Sequence, residues 1–258
     1  MTDQTMRAAG APQFSIGNVL GTSFSVLLRN LASFFVIAII VSIPSMLVAR
    51  FYAIDPVVLQ ESIRQGQLPP GFGSSIAIST LVAFLTSSLI SAALIYGTFQ
   101  DLRGQRAGVG DSISRGFSAL VPVVLAAIAF AILLTIGFAL LVIPGIILLL
   151  MLWVYVPAIV IEKKGVGGAF GRSRELTKGR RWAIFGLFIV VGIAFWVASW
   201  IIGFIFGLIF GTGGIFWAGQ LAQILAGMFG AVISAVGYYY LRSDKEGIAI
   251  GDIAKVFD

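Results

Sequence analysis

Two uncharged runs leave this chain little choice of fold. Forty-six consecutive residues, Gly116 to Ile161, carry no Asp, Glu, Lys or Arg, and neither do the sixty from Trp182 to Leu241. As one straight helix the first run would be about 69 Å long, more than twice the ~30 Å hydrocarbon core of a bilayer. Each run must therefore cross and return. Backbone amides find no water in that core, so the crossing segments must be helices that satisfy their own hydrogen bonds.

The rest of the chain agrees. Hydrophobic residues make up 59% and charged residues 11%, with a mean hydropathy of +1.02. Soluble domains carry about a quarter charged residues, so most of this surface must face lipid. The reading is an all-α, polytopic integral membrane protein.

Turn chemistry places the spans. Between Arg29 and Arg50 lie 20 uncharged residues, enough for one crossing, giving a span at 31–49 with Pro44 near its far end. A second span at 76–99 follows the break LPPGFGSS, and Ser87, Ser88 and Ser91 on it should face neighbouring helices. Pro144-Gly145 divides the first long run into spans at 119–142 and 146–161. Gly211-Thr212-Gly213-Gly214 divides the second into 183–209 and 216–240. Six spans in a single membrane domain result.

Short amphipathic helices are expected between them. Ser15 is a natural N-cap for a helix through Phe14–Asn30, within the N-terminal segment 1–30, that would lie in the interface or extend the first span. Asp55-Pro56 starts a second over Pro56–Arg64, Asp111 can cap a third, and Ala169, Phe170, Ser173 and Leu176 suggest a fourth. An amphipathic segment thus precedes a helical pair three times, near Phe14, Asp111 and Val166, suggesting a threefold repeat of interface helix plus hairpin.

Charge distribution orients the bundle. Fifteen of the seventeen Lys and Arg residues fall on the side holding both termini, which includes the tail 242–258. Only Arg50 and Arg64 fall opposite. The positive-inside rule puts both termini in the cytoplasm of a bacterial inner membrane. Trp182 and Tyr238–Tyr240 should then mark the inner interface and Trp217 the outer one.

The absence of cysteine and histidine excludes disulfides, thiol nucleophiles, zinc–thiolate sites and His-based catalysis. No cofactor is indicated. The net charge of +6 lies beside apolar spans, which favours anionic headgroups over nucleic acid as the partner. No ionisable residue stands mid-span, which argues against a proton-coupled pump, while Gln220 and Gln223 could line a path or bond neighbouring helices. Three sets of residues stand out. Lys178, Arg180 and Arg181 are candidates for lipid phosphate or a protein partner. Glu162, Arg172 and Ser173 form a candidate cluster, with Glu162 ending a proline-bent span and pairing with Arg172 or Arg174. Gly203, Gly207 and Gly211, with Ala222, Ala226 and Gly230, form small-residue stripes that suit hairpin packing or a homodimer.

The runs IPGIILLLMLWVYVPAIVIE and AFGRSRELTKGRRW, with the opening FSIGNVLGTSFSVLLRN, carry a resemblance. They resemble the membrane domain attached to some bacterial glycerophosphodiester phosphodiesterases, and related stand-alone, uncharacterised bacterial membrane proteins. The matching positions are Pro144, Gly145, Trp153, Pro157, Glu162, Ala169, Arg172, Ser173, Leu176, Gly179 and Trp182. The catalytic barrel of those enzymes is a separate domain that uses histidines, so the resemblance implies the membrane domain alone and no phosphodiesterase activity. The leading expectation is a non-catalytic accessory or structural module that contacts anionic lipids or a partner through residues 162–181. The alternative is a transporter or channel for a lipid-like or small solute. A closed, dry bundle would suit the first, and a polar cavity reaching the midplane would suit the second.

Overall fold

The computed structural model describes residues 13–246 apart from 53, 55 and 107. All regular structure among them is helical. In chain order the helices are α1 (Ile16–Phe51), α2 (Pro56–Arg64), α3 (Phe72–Leu102), α4 (Val109–Leu140), α5 (Val142–Leu152), α6 (Tyr155–Glu162), α7 (Val166–Thr177) and α8 (Arg181–Glu246). Six stretches are long and apolar enough to cross a bilayer: Ile16–Val48, Phe72–Leu102, Val109–Leu140, Val142–Glu162, Arg181–Gly211 and Trp217–Glu246. This is a multi-pass helical membrane protein. Large apolar side chains line its outside; Trp196, Trp200, Phe204 and Leu208 are each more than 60% exposed, as lipid-facing residues must be.

The first helix runs unbroken for 36 residues from its Ser15 cap, whose Oγ accepts the Asn18 N–H at 3.2 Å. No breaker separates its amphipathic start from the apolar run, so the helix propagates through both. The Asp111 segment likewise is the first turn of α4. Of the three amphipathic segments in the expected repeat, only the third, α7, stands as a separate helix. It is cut off by Gly179 at φ 89°, a backbone state that glycine adopts without strain.

The first hairpin turns at Leu141, which is extended (φ −165°, ψ 155°), three residues before the expected Pro144-Gly145. Pro144 then sits in the first turn of α5, where its missing N–H costs nothing. Gly145 is needed for close approach instead: a Cβ there would meet the Phe138 ring at 2.5 Å. The second hairpin turns at Gly211 (φ 64°, ψ −154°), and its arms run antiparallel, with Phe195 edge-to-face against Phe229 and Arg180 bonded to Asp244.

Span 146–161 is two helices rather than one, broken at Trp153–Val154. Pro157 has no N–H to give the Trp153 carbonyl, so the i→i+4 ladder fails there. The Trp153 indole turns onto the second arm of α8, Trp217–Glu246, so close to Gly237 that a Cβ would lie 2.3 Å from Cη2. Tight helix contacts are at Gly97, Gly116, Gly137, Gly145, Gly186 and Gly237. They are not on the expected stripes, since a Cβ at Gly203 or Gly230 would meet nothing within 4 Å. Gly211 makes the turn rather than a packing contact, and Gly207, Ala222 and Ala226 are half-buried. Spacing along a helix tells which residues share a face but not which face meets a neighbour.

Candidate functional site

The helix order puts the ends of α3, α6 and α8, and the whole of α7, at one charged end of the bundle. There Glu162, the last residue of α6, is surrounded. Its Oε1 accepts from Arg172 Nε at 2.9 Å and from the Tyr238 hydroxyl, and its Oε2 lies 3.0 Å from Lys164 Nζ. Arg172 also donates to Glu246 and, at 3.2 Å, to Glu175. Glu246 accepts from Arg242 Nε at 2.7 Å. Glu162, Arg172 and Arg242 are about nine-tenths buried. Two carboxylates and two guanidiniums thus cancel in a shielded setting, with Lys164 and the exposed Glu175 at the rim.

The network ties α6, α7 and the end of α8 together. Burial alone would lower the pKa of Arg172, but the hydrogen bonds from Glu246 and Glu162 and their charges outweigh it and push it well above its ordinary value. Arg172 is therefore charged at every accessible pH. A carboxylate at a helix C-terminus is opposed by the helix dipole, and the surrounding cations offset that cost at Glu162.

Of the candidate cluster, the structure joins Glu162 to Arg172 directly. Ser173 works one turn away on the helix break: its hydroxyl donates to the Met151 carbonyl at 2.9 Å and accepts the Val154 N–H at 3.2 Å. Thr177 Oγ1 also lies 3.1 Å from the Met151 carbonyl. These contacts satisfy backbone groups that the α5–α6 break releases. The Trp153 carbonyl, left without a helical partner by Pro157, has Ser234 Oγ at 3.5 Å.

Residues that sequence reasoning missed lie on the last turns of α8. Tyr238, Arg242 and Glu246 are spaced at i, i+4 and i+8, one helical face, and that spacing was the available signal. Tyr238 is fully buried, so it is no interface anchor, and Tyr240 bonds Thr22 at 2.8 Å. Trp182, 86% exposed, suits the interfacial role.

The three cations expected to meet lipid are divided. Arg180 is held by both oxygens of Asp244 at 2.7 and 2.9 Å, clamping the hairpin's open end. Lys178 is exposed and Arg181 half-buried. Together with Arg174 and Trp182 they line a cleft of about 480 Å³.

A larger cavity of about 820 Å³ lies inside the bundle. It runs from Met46, Trp217 and Gln220 near the end opposite the charge network to the helix break at Trp153 and Tyr155. Ser42, Ser87, Ser91, Gln223 and Ser234 supply scattered hydroxyls and an amide to an otherwise apolar wall that includes Phe84, Ile224 and Met228. The bundle is therefore not closed along its whole length. Gln220 and Gln223 are on the cavity wall, as are Ser87, Ser88 and Ser91 of α3.

No curated protein and no solved structure matches this chain. The profile of a domain of unknown function, DUF7847, matches residues 73–242. That segment holds the helix break, the cavity's polar wall on α3 and α8, and all of the charge network except Glu246. Covering well over half of the sequence, the match shows that the chain belongs to the DUF7847 family.

Proposed function

We propose that the protein is a non-catalytic membrane-embedded binding protein or transporter for a lipid-like amphiphile, which enters the 820 Å³ cavity. One observation carries this reading: a broken transmembrane helix whose break lines the cavity. Non-helical backbone at membrane depth is tolerated where it faces a cavity, and such breaks supply carbonyls to bound solutes in transporters. The volume suits a small ligand, and the mostly apolar wall with a few hydroxyls and amides suits one with an apolar body and a polar group. The excess of Lys and Arg at the charged end supports a cytoplasmic orientation for that end in a bacterial inner membrane.

Gly227 tests the reading. It lines the cavity, and a Cβ there meets nothing within 4 Å, so Gly227→Leu should fold normally while filling the space. Mass spectrometry of what co-purifies in mild detergent should show a bound amphiphile in the wild type that the variant loses. Equal retention by both proteins would overturn the cavity as its site.

A second reading, an accessory module gripping anionic headgroups through residues 162–181, is favoured by the cleft of Arg174, Lys178, Arg181 and Trp182. Lys178→Gln with Arg181→Gln should then weaken retention of anionic lipid and leave the cavity ligand in place.

A further inference from the structure

Beside the charge network, away from both the cavity and the 178–182 cleft, lies a basin of about 540 Å³. Its wall draws on four elements that are distant in sequence: the end of α3, the start of α4, the α6–α7 link and the end of α8. Arg103, Arg115, Lys163, Lys164 and Arg242 line it beside the single carboxylate of Glu162. Lys164 is paired with Glu162 and Arg242 with Glu246, while Arg115 and Lys163 are exposed.

One detail points to a ligand. Tyr96 accepts a hydrogen bond from Gln100 at 3.1 Å, which leaves its own proton free to donate into the basin it lines. Lys163, left-handed at φ 52°, is the cap that ends α6 and turns the chain along this edge.

We propose that this basin is an anion site that takes the phosphate group of a phospholipid. Five cations converge on one space, which matches a tetrahedral oxyanion with several acceptor oxygens better than a carboxylate. The floor, formed by Phe99, Val160 and Ile161 at the ends of spans, is apolar, so the site sits at the depth of a headgroup. An occupying phosphate competes with Glu162 for Lys164, now 3.0 Å from its Oε2, and with Glu246 for Arg242. Occupation thus reaches the network that joins α6, α7 and α8. The proposal stands independently of the cavity reading, which concerns other residues at the opposite end.

The test uses the full chain in phosphatidylcholine nanodiscs with a minor fraction of phosphatidic acid, read by native mass spectrometry. Arg115 and Lys163 are exposed and outside the buried network, so Arg115→Gln with Lys163→Gln should fold. The double variant should lose affinity for phosphatidic acid by at least about tenfold, one charge-assisted bond's worth. The charge-preserving pair Arg115→Lys with Lys163→Arg, a control for folding, should retain it, and so should Lys178→Gln with Arg181→Gln. A parallel calorimetric titration with inorganic phosphate distinguishes sources: binding as tight as the lipid's, lost in the double glutamine variant, would keep the phosphate site and assign it a soluble ligand. Unchanged phosphatidic acid retention in the double glutamine variant, or equal loss in the Lys178/Arg181 variant, would overturn the proposal.

Discussion

Arg172→Ala removes the centre of the buried network. The guanidinium reaches Glu162 at 2.9 Å and also Glu246, and its side chain is 11% exposed, so its loss strands negative charge in a shielded site. Breaking one partner of a buried pair typically costs about 3–5 kcal/mol. Each carboxylate keeps another donor, Glu162 through Tyr238 and Lys164 and Glu246 through Arg242, so the low end applies, about 3 kcal/mol. For a chain of this size that is a fall in Tm of roughly 6–12 °C. Because Arg172 has a raised pKa, its stabilisation is fully present below its ordinary value and fades only as pH rises beyond the accessible range. The loss should therefore be the same at neutral and moderately alkaline pH. Thermal unfolding in detergent would measure it. Adding Glu162→Gln should return part of the loss, a coupling of about 1 kcal/mol or more in the double-mutant cycle. A change below about 1 kcal/mol for Arg172→Ala, or full additivity with Glu162→Gln, would refute the assignment of Arg172 as the network's centre.

Ser173→Ala should cost about 1–2 kcal/mol, measured in the same unfolding assay, because it leaves Val154 N–H unpartnered beside the helix break. Gly237→Ala drives a methyl against Trp153 and should cost about 1–3 kcal/mol, whereas Gly230→Ala, facing open space, should stay within about 0.5 kcal/mol. Gly211→Ala should destabilise by about 1–3 kcal/mol through backbone strain alone, since a Cβ there meets no neighbour. Asp244→Ala frees a part-exposed Arg180 and should cost only about 0.5–1 kcal/mol, although it opens the clamp on the hairpin.

The two long uncharged runs by themselves determined four of the six candidate spans, because each of 46 and 60 uncharged residues must cross and return, and two shorter apolar stretches supplied the others. The hairpin at Gly211, the Ser15 cap and the helix at Pro56–Arg64 were legible for the same local reason: each depends on side chains a few residues apart. That Glu162 would pair with Arg172 or Arg174 was legible too, since only ten or twelve residues separate them, and the structure selects Arg172. What local chemistry could not supply was partners from afar. Tyr238, Arg242 and Glu246 complete the network from 74 or more residues away, and Trp153 finds its place on Gly237 across the bundle. The small-residue stripes were visible while the faces they present were not. The cavity and the cationic basin likewise arise only where helices distant in sequence fail to fill the space between them. Hydropathy decides which segments leave water; the side chains that meet when six of them pack decide where the bundle is closed, where it is open and where its charges gather.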